Sequence, residues 1–165
     1  MDCSIQLKQD EHLASDCLII GITQIGDDRN QDQQLFALKD LLPTKTIALL
    51  KALIDRKQLL GKAKQCDLLY RPDGFEQDYL AIVGLGKPDK LSRNSLADAV
   101  TALLNELNPR TISTADINLD QLLGNTELDF AEVIKPLSQS IYERFYEYDY
   151  TKSDKADALI FKQLT

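Results

Sequence analysis

Asp78-Tyr79-Leu80-Ala81-Ile82-Val83-Gly84-Leu85-Gly86-Lys87 reads as a buried strand that breaks at two glycines and leads, past Leu91-Ser92, into an amphipathic helix. One α/β unit is spelled out there. In the helix, Leu96, Ala99, Val100, Leu103, Leu104 and Leu107 recur at the three- and four-residue spacing that lines one helical face. Ser92 is placed to cap it, and Leu91 and Leu96 hold the N′ and N4 positions of a hydrophobic staple. Asn108-Pro109 ends it, because proline disfavours helical backbone in the residue before it.

Working outward, Cys66 to Tyr70 and Tyr79 to Val83 read as two core strands joined into a hairpin by the turn around Pro72-Asp73-Gly74. Cys17-Leu18-Ile19-Ile20-Gly21-Ile22 is continuously apolar, as a central strand is, whereas Ser4 to Lys8 alternates like an outer one. Asp27 to Gln34 is polar without periodicity and reads as a loop or a solvated lead-in to a helix. Pro43 with Thr44 or Thr46 starts a helix carrying Ile47, Leu50, Leu53 and Ile54, with Gly61 ending that region. Arg110 to Ile117 is a weaker strand. Thr126 opens a helix with Ala131, Ile134, Leu137, Ile141 and Phe145, and Pro136 inside it predicts a kink or two consecutive segments. Ala156 to Leu164 is a short strand-like tail. Alternating helices and strands with one hairpin give a three-layer α/β domain with a mixed sheet.

A length of 165 residues with 44% hydrophobic content suits one domain with a single sizeable core, and leaves no room for a second, catalytic one. The net charge of −7 opposes phosphate backbones and anionic lipid, so nucleic acid is an unfavoured partner. Cys3, Cys17 and Cys66 lack metal or redox spacing and read as reduced residues of a cytoplasmic protein. Met1-Asp2-Cys3-Ser4 does not begin a secretory leader, and no apolar run approaches the roughly 20 residues of a membrane span. The expectation is a soluble, cytoplasmic protein.

Chemistry-bearing motifs are few. Gly84-Leu85-Gly86 follows a strand as a dinucleotide fingerprint would, but Asp89 stands at the third glycine position. Neither Gly61-Lys62-Ala63 nor Gly86-Lys87-Pro88 completes a phosphate-binding P-loop. These glycines therefore read as tight-turn residues, with a weak anion site at the exposed amides of Gly84, Gly86 and Lys87 as the functional alternative. His12, the sole histidine, lies in the polar stretch Asp10-Glu11-His12 and reads as a surface residue without a nucleophile partner. Asp27-Asp28 and Asp116 to Asp120 read as solvated loops rather than metal cages. Lys62, Lys64, Arg71, Lys87, Lys90 and Arg93 gather as a solvated rim near one end of the sheet. Tyr142, Phe145 and Tyr146 share a helical face and read as core, while Tyr146, Tyr148 and Tyr150 are candidates for an interface with a following domain or another subunit. No catalytic, cofactor-binding or metal-ligating residue is assigned.

Four blocks in order carry a resemblance. They are Cys17-Leu18-Ile19-Ile20-Gly21-Ile22, Leu60-Gly61-Lys62-Ala63-Lys64-Gln65, Val83-Gly84-Leu85-Gly86-Lys87 with Leu91-Ser92, and Tyr146-Glu147-Tyr148-Asp149-Tyr150-Thr151-Lys152-Ser153. Together, and followed by Leu159-Ile160-Phe161, they resemble the N-terminal domain of the leucine aminopeptidase (cytosol aminopeptidase) family, with Tyr148 where the family's Tyr-x-Phe-Asp-x-x-Lys-Ser/Thr segment has phenylalanine. The resemblance implies a macro-like α/β/α domain over residues 1–153. Residues 154–165 would be a strand-like tail or linker toward a catalytic domain with two divalent metals, zinc or manganese. It implies a non-catalytic domain with structural, assembly or regulatory duties. The parent enzyme would release N-terminal amino acids from peptides as a homohexamer. None of the family's metal ligands or catalytic residues maps onto this sequence, so no metal or other cofactor is expected in this chain. The alternatives are a stand-alone macro-like module binding a nucleotide-like ligand near Gly84 to Lys87, or a DNA-binding adaptor as in some bacterial relatives.

Overall fold

The computed structural model describes residues 15–26, 28–107, 112, 114–124, 128–145 and 163–164. Its centre is β1 (Cys17–Thr23), buried along its whole length, flanked by β3 (Tyr79–Gly86), buried from Leu80 onward. Strands that are apolar on both faces need a layer on each side, and both layers are present.

The sheet runs in the order β2-β3-β1-β4-β5, with β2 (Cys66–Tyr70), β4 (Thr114–Ile117) and β5 (Gln163–Leu164) completing it. β1 is parallel to β3 from Cys17↔Tyr79 to Ile22↔Gly84, and parallel to β4 from Cys17↔Ala115 to Ile19↔Ile117. β2 and β3 form the antiparallel hairpin, Cys66↔Val83 to Tyr70↔Tyr79, and β5 runs parallel to β4. The sheet is therefore mixed, as the punctuation of the sequence implied.

Period-two alternation splits each apolar run between two cores. Cys17, Ile19, Ala81, Val83, Leu85, Ala115 and Ile117 pack on one face against α3 (Arg93–Glu106), with Leu122 of α4 (Leu119–Leu123) and Val133 and Leu137 of α5 (Phe130–Phe145). Leu18, Ile20, Ile22, Leu80 and Ile82 pack on the other face against Leu35 of α1 (Asp28–Ala37), Leu38, and Leu50 and Ile54 of α2 (Thr44–Asp55). The result is a three-layer α/β/α domain. Each side chain fully removed from water contributes about 1.5–3 kcal/mol, so the two faces together supply the main stabilising term.

The helix after Lys90 begins as its sequence dictates. Ser92 Oγ accepts from the Ser95 N–H at 3.2 Å while the Ser92 N–H donates to Ser95 Oγ at 2.8 Å, a capping box built from two serines. Leu91 and Leu96 both belong to the α3-side core, as the staple requires. The helix stops at Glu106, and Asn108-Pro109 lies outside the described residues.

Several local readings are corrected. Residues 28–34, read as a loop or lead-in, belong to α1. Its inward face is Gln31, Gln34 and Leu35, so the burial is real but leaves no apolar periodicity to read. Among the described residues β2 is the end strand of the sheet, and it is only partly buried where a core strand was expected, with Leu68 44% and Tyr70 64% exposed. α2 starts at Thr44 directly after Pro43, as read, with Thr46 buried inside it, but it ends at Asp55, well before Gly61. Asp116 lies within β4 and the acidic stretch runs on into α4, where a solvated loop was expected. α5 passes through Pro136 as one helix, with Val133 and Leu137 buried, Ile134 half-buried and Ala131 exposed. Ser4 to Lys8, Cys3, His12, Thr126, Tyr146, Tyr148 and Tyr150 lie outside the described residues, and of the tail only Gln163–Leu164 is described.

Candidate functional site

An open α/β sheet forms its ligand crevice beyond the carboxyl ends of its strands, where successive connections leave to opposite sides. Here that strand is β1, with β3 and β2 on one side and β4 and β5 on the other. β4 stops pairing with β1 at Ile19. The next alternate residues, Gly21 and Thr23, extend past it with peptide groups that need partners.

Two glutamines supply them. The Gly21 N–H donates to Gln121 Oε1 at 2.9 Å, and Gln121 Nε2 donates to the Gly21 carbonyl at 2.6 Å. The Thr23 N–H donates to Gln34 Oε1 at 2.8 Å, and Gln34 Nε2 donates to the Thr23 carbonyl at 3.1 Å. A primary amide offers one acceptor and two donors, so each side chain stands in for a residue of a missing strand. Gln34 is fixed by a further bond from Nε2 to Asn30 Oδ1 at 2.8 Å. Gln121 is aimed by α4, whose Gln121 N–H donates to Asn118 Oδ1 at 2.9 Å. Gly21 is glycine because a Cβ there would collide with Leu122, which reaches over the strand end.

The other flank of the crevice is closed by the chain between Leu60 and Gln65. The Ile25 N–H donates to Leu60 O at 3.1 Å, the Gly86 N–H to Gly61 O at 3.0 Å, the Lys64 N–H to Gly84 O at 3.0 Å and the Gly84 N–H to Gln65 O at 2.7 Å. Gln65 knits the loop from within, accepting from the Leu60 N–H at 3.1 Å and donating to Gln58 O at 2.8 Å. Gly61 and Gly86 have φ of +63° and +79°, which glycine adopts without steric penalty. Gly84 serves differently. It continues β3, and a Cβ on it would run into the Lys62 carbonyl oxygen, so it permits close approach rather than a turn.

This geometry bears directly on the anion-site candidate. The amides of Gly84 and Gly86 already donate to backbone carbonyls, while Lys87 is exposed beside them. The basic rim divides. Lys62, Lys64, Lys87, Lys90 and Arg93 are exposed near the carboxyl end of β3, with Lys64 3.4 Å from Asp98, whereas Arg71 sits at the opposite end of that strand, 2.6 Å from Asp78. Burial pushes the Cys17 thiol up to about 12, with Asp16 and Asp116 adding to the effect against a backbone hydrogen bond to Ala81. Burial also raises Cys66, helped by Glu106 and Asp67. Neither is a thiolate nucleophile at neutral pH. Among the described residues no three His, Cys, Asp or Glu side chains are grouped to hold a metal ion, so the donor set does not fit a two-metal hydrolytic centre. No helix among them is long and apolar enough to cross a membrane.

Sequence reasoning missed Gln34 and Gln121. The available signal was slight: Gln121 is a lone amide within Leu119-Asp120-Gln121-Leu122-Leu123, and Gln34 borders Leu35 at the end of a polar run.

Known proteins share this architecture. A probable cytosol aminopeptidase of Haemophilus ducreyi is 26% identical over 156 residues, covering 94% of this chain and 30% of the relative. A mutant of tomato leucine aminopeptidase superposes with a TM-score of 0.61 at 16% identity, over 99% of this chain and 32% of that one. The macrodomain of Mycobacterium tuberculosis DarG superposes with a TM-score of 0.58 at 9% identity, over 86% of this chain and 92% of that one, which shows the shared fold alone. The chain spans less than a third of the length of the curated relatives it matches. Residues 19–155 match the model of the cytosol aminopeptidase family's N-terminal domain, and the chain belongs to that family.

Proposed function

We propose that this chain is the non-catalytic N-terminal domain of a cytosolic leucyl aminopeptidase, serving structure, assembly or regulation in a parent that removes N-terminal amino acids from peptides. The chemistry of that parent resides in a separate C-terminal domain holding two divalent metals, zinc or manganese, and its partners are that domain and the sister subunits of a homohexamer in the cytoplasm. One observation carries the reading. The crevice that a binding or catalytic α/β domain leaves open is filled here by Gln34, Gln121 and the Leu60–Gln65 loop, each hydrogen-bonded to a strand end. A stand-alone nucleotide-binding module needs that space, and its phosphate groups need the amides of Gly84 and Gly86 that the chain itself occupies.

The test combines metal analysis, an amidase assay and calorimetry on purified 1–165. The chain should hold no stoichiometric zinc or manganese, leave leucine p-nitroanilide uncut, and give no heat with ADP-ribose or ATP, whereas the full-length parent should cleave the anilide in a chelator-sensitive way. Metal-dependent turnover by 1–165 that survives repeated purification would overturn the reading, and saturable nucleotide binding would favour the module.

A further inference from the structure

The helices of this domain are not held equally. α3 buries six apolar side chains between Leu96 and Leu104, and α2 buries Leu50 and Ile54 beside Thr46. Of the described side chains of α1, only Gln31, Gln34 and Leu35 are buried, and its one aromatic residue, Phe36, is exposed. The attachments of α1 beyond Leu35 are polar: Gln34 pairs with both peptide groups of Thr23, and Gln31 Nε2 donates to Asp55 Oδ1 of α2 at 3.0 Å.

That difference sets the cost of detachment. Separating apolar surfaces costs free energy in proportion to the area wetted, whereas amides and peptide groups that part into water exchange one set of hydrogen bonds for another. α1 therefore leaves the sheet more cheaply than α3 does. A ten-residue helix does not persist in water without its packing, so detachment also melts it. The flanks localise the motion. Before α1, Gly26 is exposed, and a Cβ there would meet nothing within 4 Å among the described residues. After it, Leu38 and Leu42 are buried in the α2-side core and anchor the chain. The two glutamine clamps on β1 thus stand on different supports. Gln121 holds Gly21 from α4, whose Leu122 is fully buried in the α3-side core, whereas Gln34 holds Thr23 from α1.

We infer that α1 is a latch over the carboxyl end of β1: it opens as a unit between Gly26 and the anchor at Leu38 and Leu42, and each opening withdraws Gln34 from Thr23 while Gln121 stays on Gly21. The crevice is closed on one flank by a fixed clamp and on the other by a removable one. Opening exposes the Thr23 N–H and carbonyl, the stretch of strand edge that Gln34 otherwise covers. This goes beyond the family reading and does not depend on it.

The experiment is native-state hydrogen exchange of 1–165 in low urea, read residue by residue by NMR. The Thr23 amide and the helical amides of Leu35 and Phe36 should exchange through one shared opening, with a weak urea dependence and protection at least about 100-fold below that of the Leu103 amide. Gly21, two residues away on the same strand, should stay at least about tenfold better protected than Thr23. Gln31→Leu puts an apolar side chain in place of a buried amide, and the Asp55 carboxylate it leaves is exposed to water. It should raise the protection of Thr23 and of the α1 amides together by about tenfold. Gln34→Ala should strip protection from Thr23 and leave that of Gly21 unchanged. Exchange of α1 and Thr23 only through global unfolding, protection of Thr23 out of step with that of α1, or a folded Gln31→Leu variant with unchanged exchange at both would overturn the latch. Those failures would leave the family reading standing, since metal content and amidase activity test it separately.

Discussion

Replacing Gln121 by methionine tests the energetic basis of the filled crevice. The substitution keeps length and most of the volume, so little cavity opens, but it removes the acceptor that takes the Gly21 N–H at 2.9 Å and the donor that reaches the Gly21 carbonyl at 2.6 Å. A buried polar group stripped of its partner costs about 1–3 kcal/mol, and two are stripped at once. Gly21 is buried while Gln121 is partly exposed, so water recovers some of the loss and the expected total is about 2–4 kcal/mol. Urea denaturation followed by circular dichroism should show a lower midpoint with an unchanged slope, and the Gly21 amide should exchange faster with solvent. Gln121→Glu sharpens the test. At pH 7 it retains an acceptor but sets a carboxylate oxygen against the Gly21 carbonyl, and protonation at lower pH restores a donor, so its deficit should shrink as pH falls. A loss under about 0.5 kcal/mol for Gln121→Met would refute the claim that the glutamine replaces a strand, and with it the main support for a closed crevice.

Further outcomes follow from the same packing. Gly84→Ala places a methyl group against the Lys62 carbonyl, where backbone meets backbone, and should cost more than about 2 kcal/mol, whereas Gly26→Ala, with nothing within 4 Å, should be nearly neutral in the same denaturation assay. Leu103→Ala removes a fully buried side chain of α3 and should cost about 2–5 kcal/mol. The Cys17 thiol stays neutral in the folded chain up to about 12 but ionises near 9 when unfolded, so folded stability should fall as pH rises through that window. The limiting slope is about 1.4 kcal/mol per pH unit, and Cys17→Ala should flatten it. A wild-type alkaline profile that superposes on that of Cys17→Ala would rule the linkage out.

The parts of this fold that the sequence made legible are those where one local signal and one tertiary outcome coincide. The run from Tyr79 to Gly86 is apolar on both faces because both faces are buried, and Ser92 with Leu91 and Leu96 states where α3 begins without reference to anything distant. The hairpin was legible because its turn, Pro72-Asp73-Gly74, is local too. Misreadings arose where burial is polar or is shared with a distant segment. α1 turns Gln31 and Gln34 inward, and no hydrophobic period can report a helix whose buried face includes amides. Gln31 Nε2 reaches Asp55 Oδ1 of α2 at 3.0 Å, a partner 24 residues away that the sequence does not announce. β2 looked like a core strand because Leu68, Leu69 and Tyr70 are apolar, but only its position at the end of the strand order decides that two of them face water.

The candidate site follows the same division. Glycines at 61, 84 and 86 signalled that the backbone does something unusual beyond β3, but a glycine that permits a turn and one that permits close approach look alike in a sequence. Gly86 is of the first kind and Gly84 of the second, and only the Lys62 carbonyl lying against Gly84 separates them. A strand, a glycine pair and a following helix are equally the beginning of a phosphate site and of a packed junction. What decides between them is whether the amides are free. In this chain the amides of Gly84 and Gly86 are taken by Gln65 and Gly61, and the peptide groups of Gly21 and Thr23 by two glutamines, Gln121 lying 100 residues from Gly21 and Gln34 lying 11 from Thr23. A parallel sheet creates such a crevice whether or not a ligand uses it, and peptide groups that extend past the neighbouring strand need partners from elsewhere in the chain. Gln34, Gln121 and Gln65 are those partners.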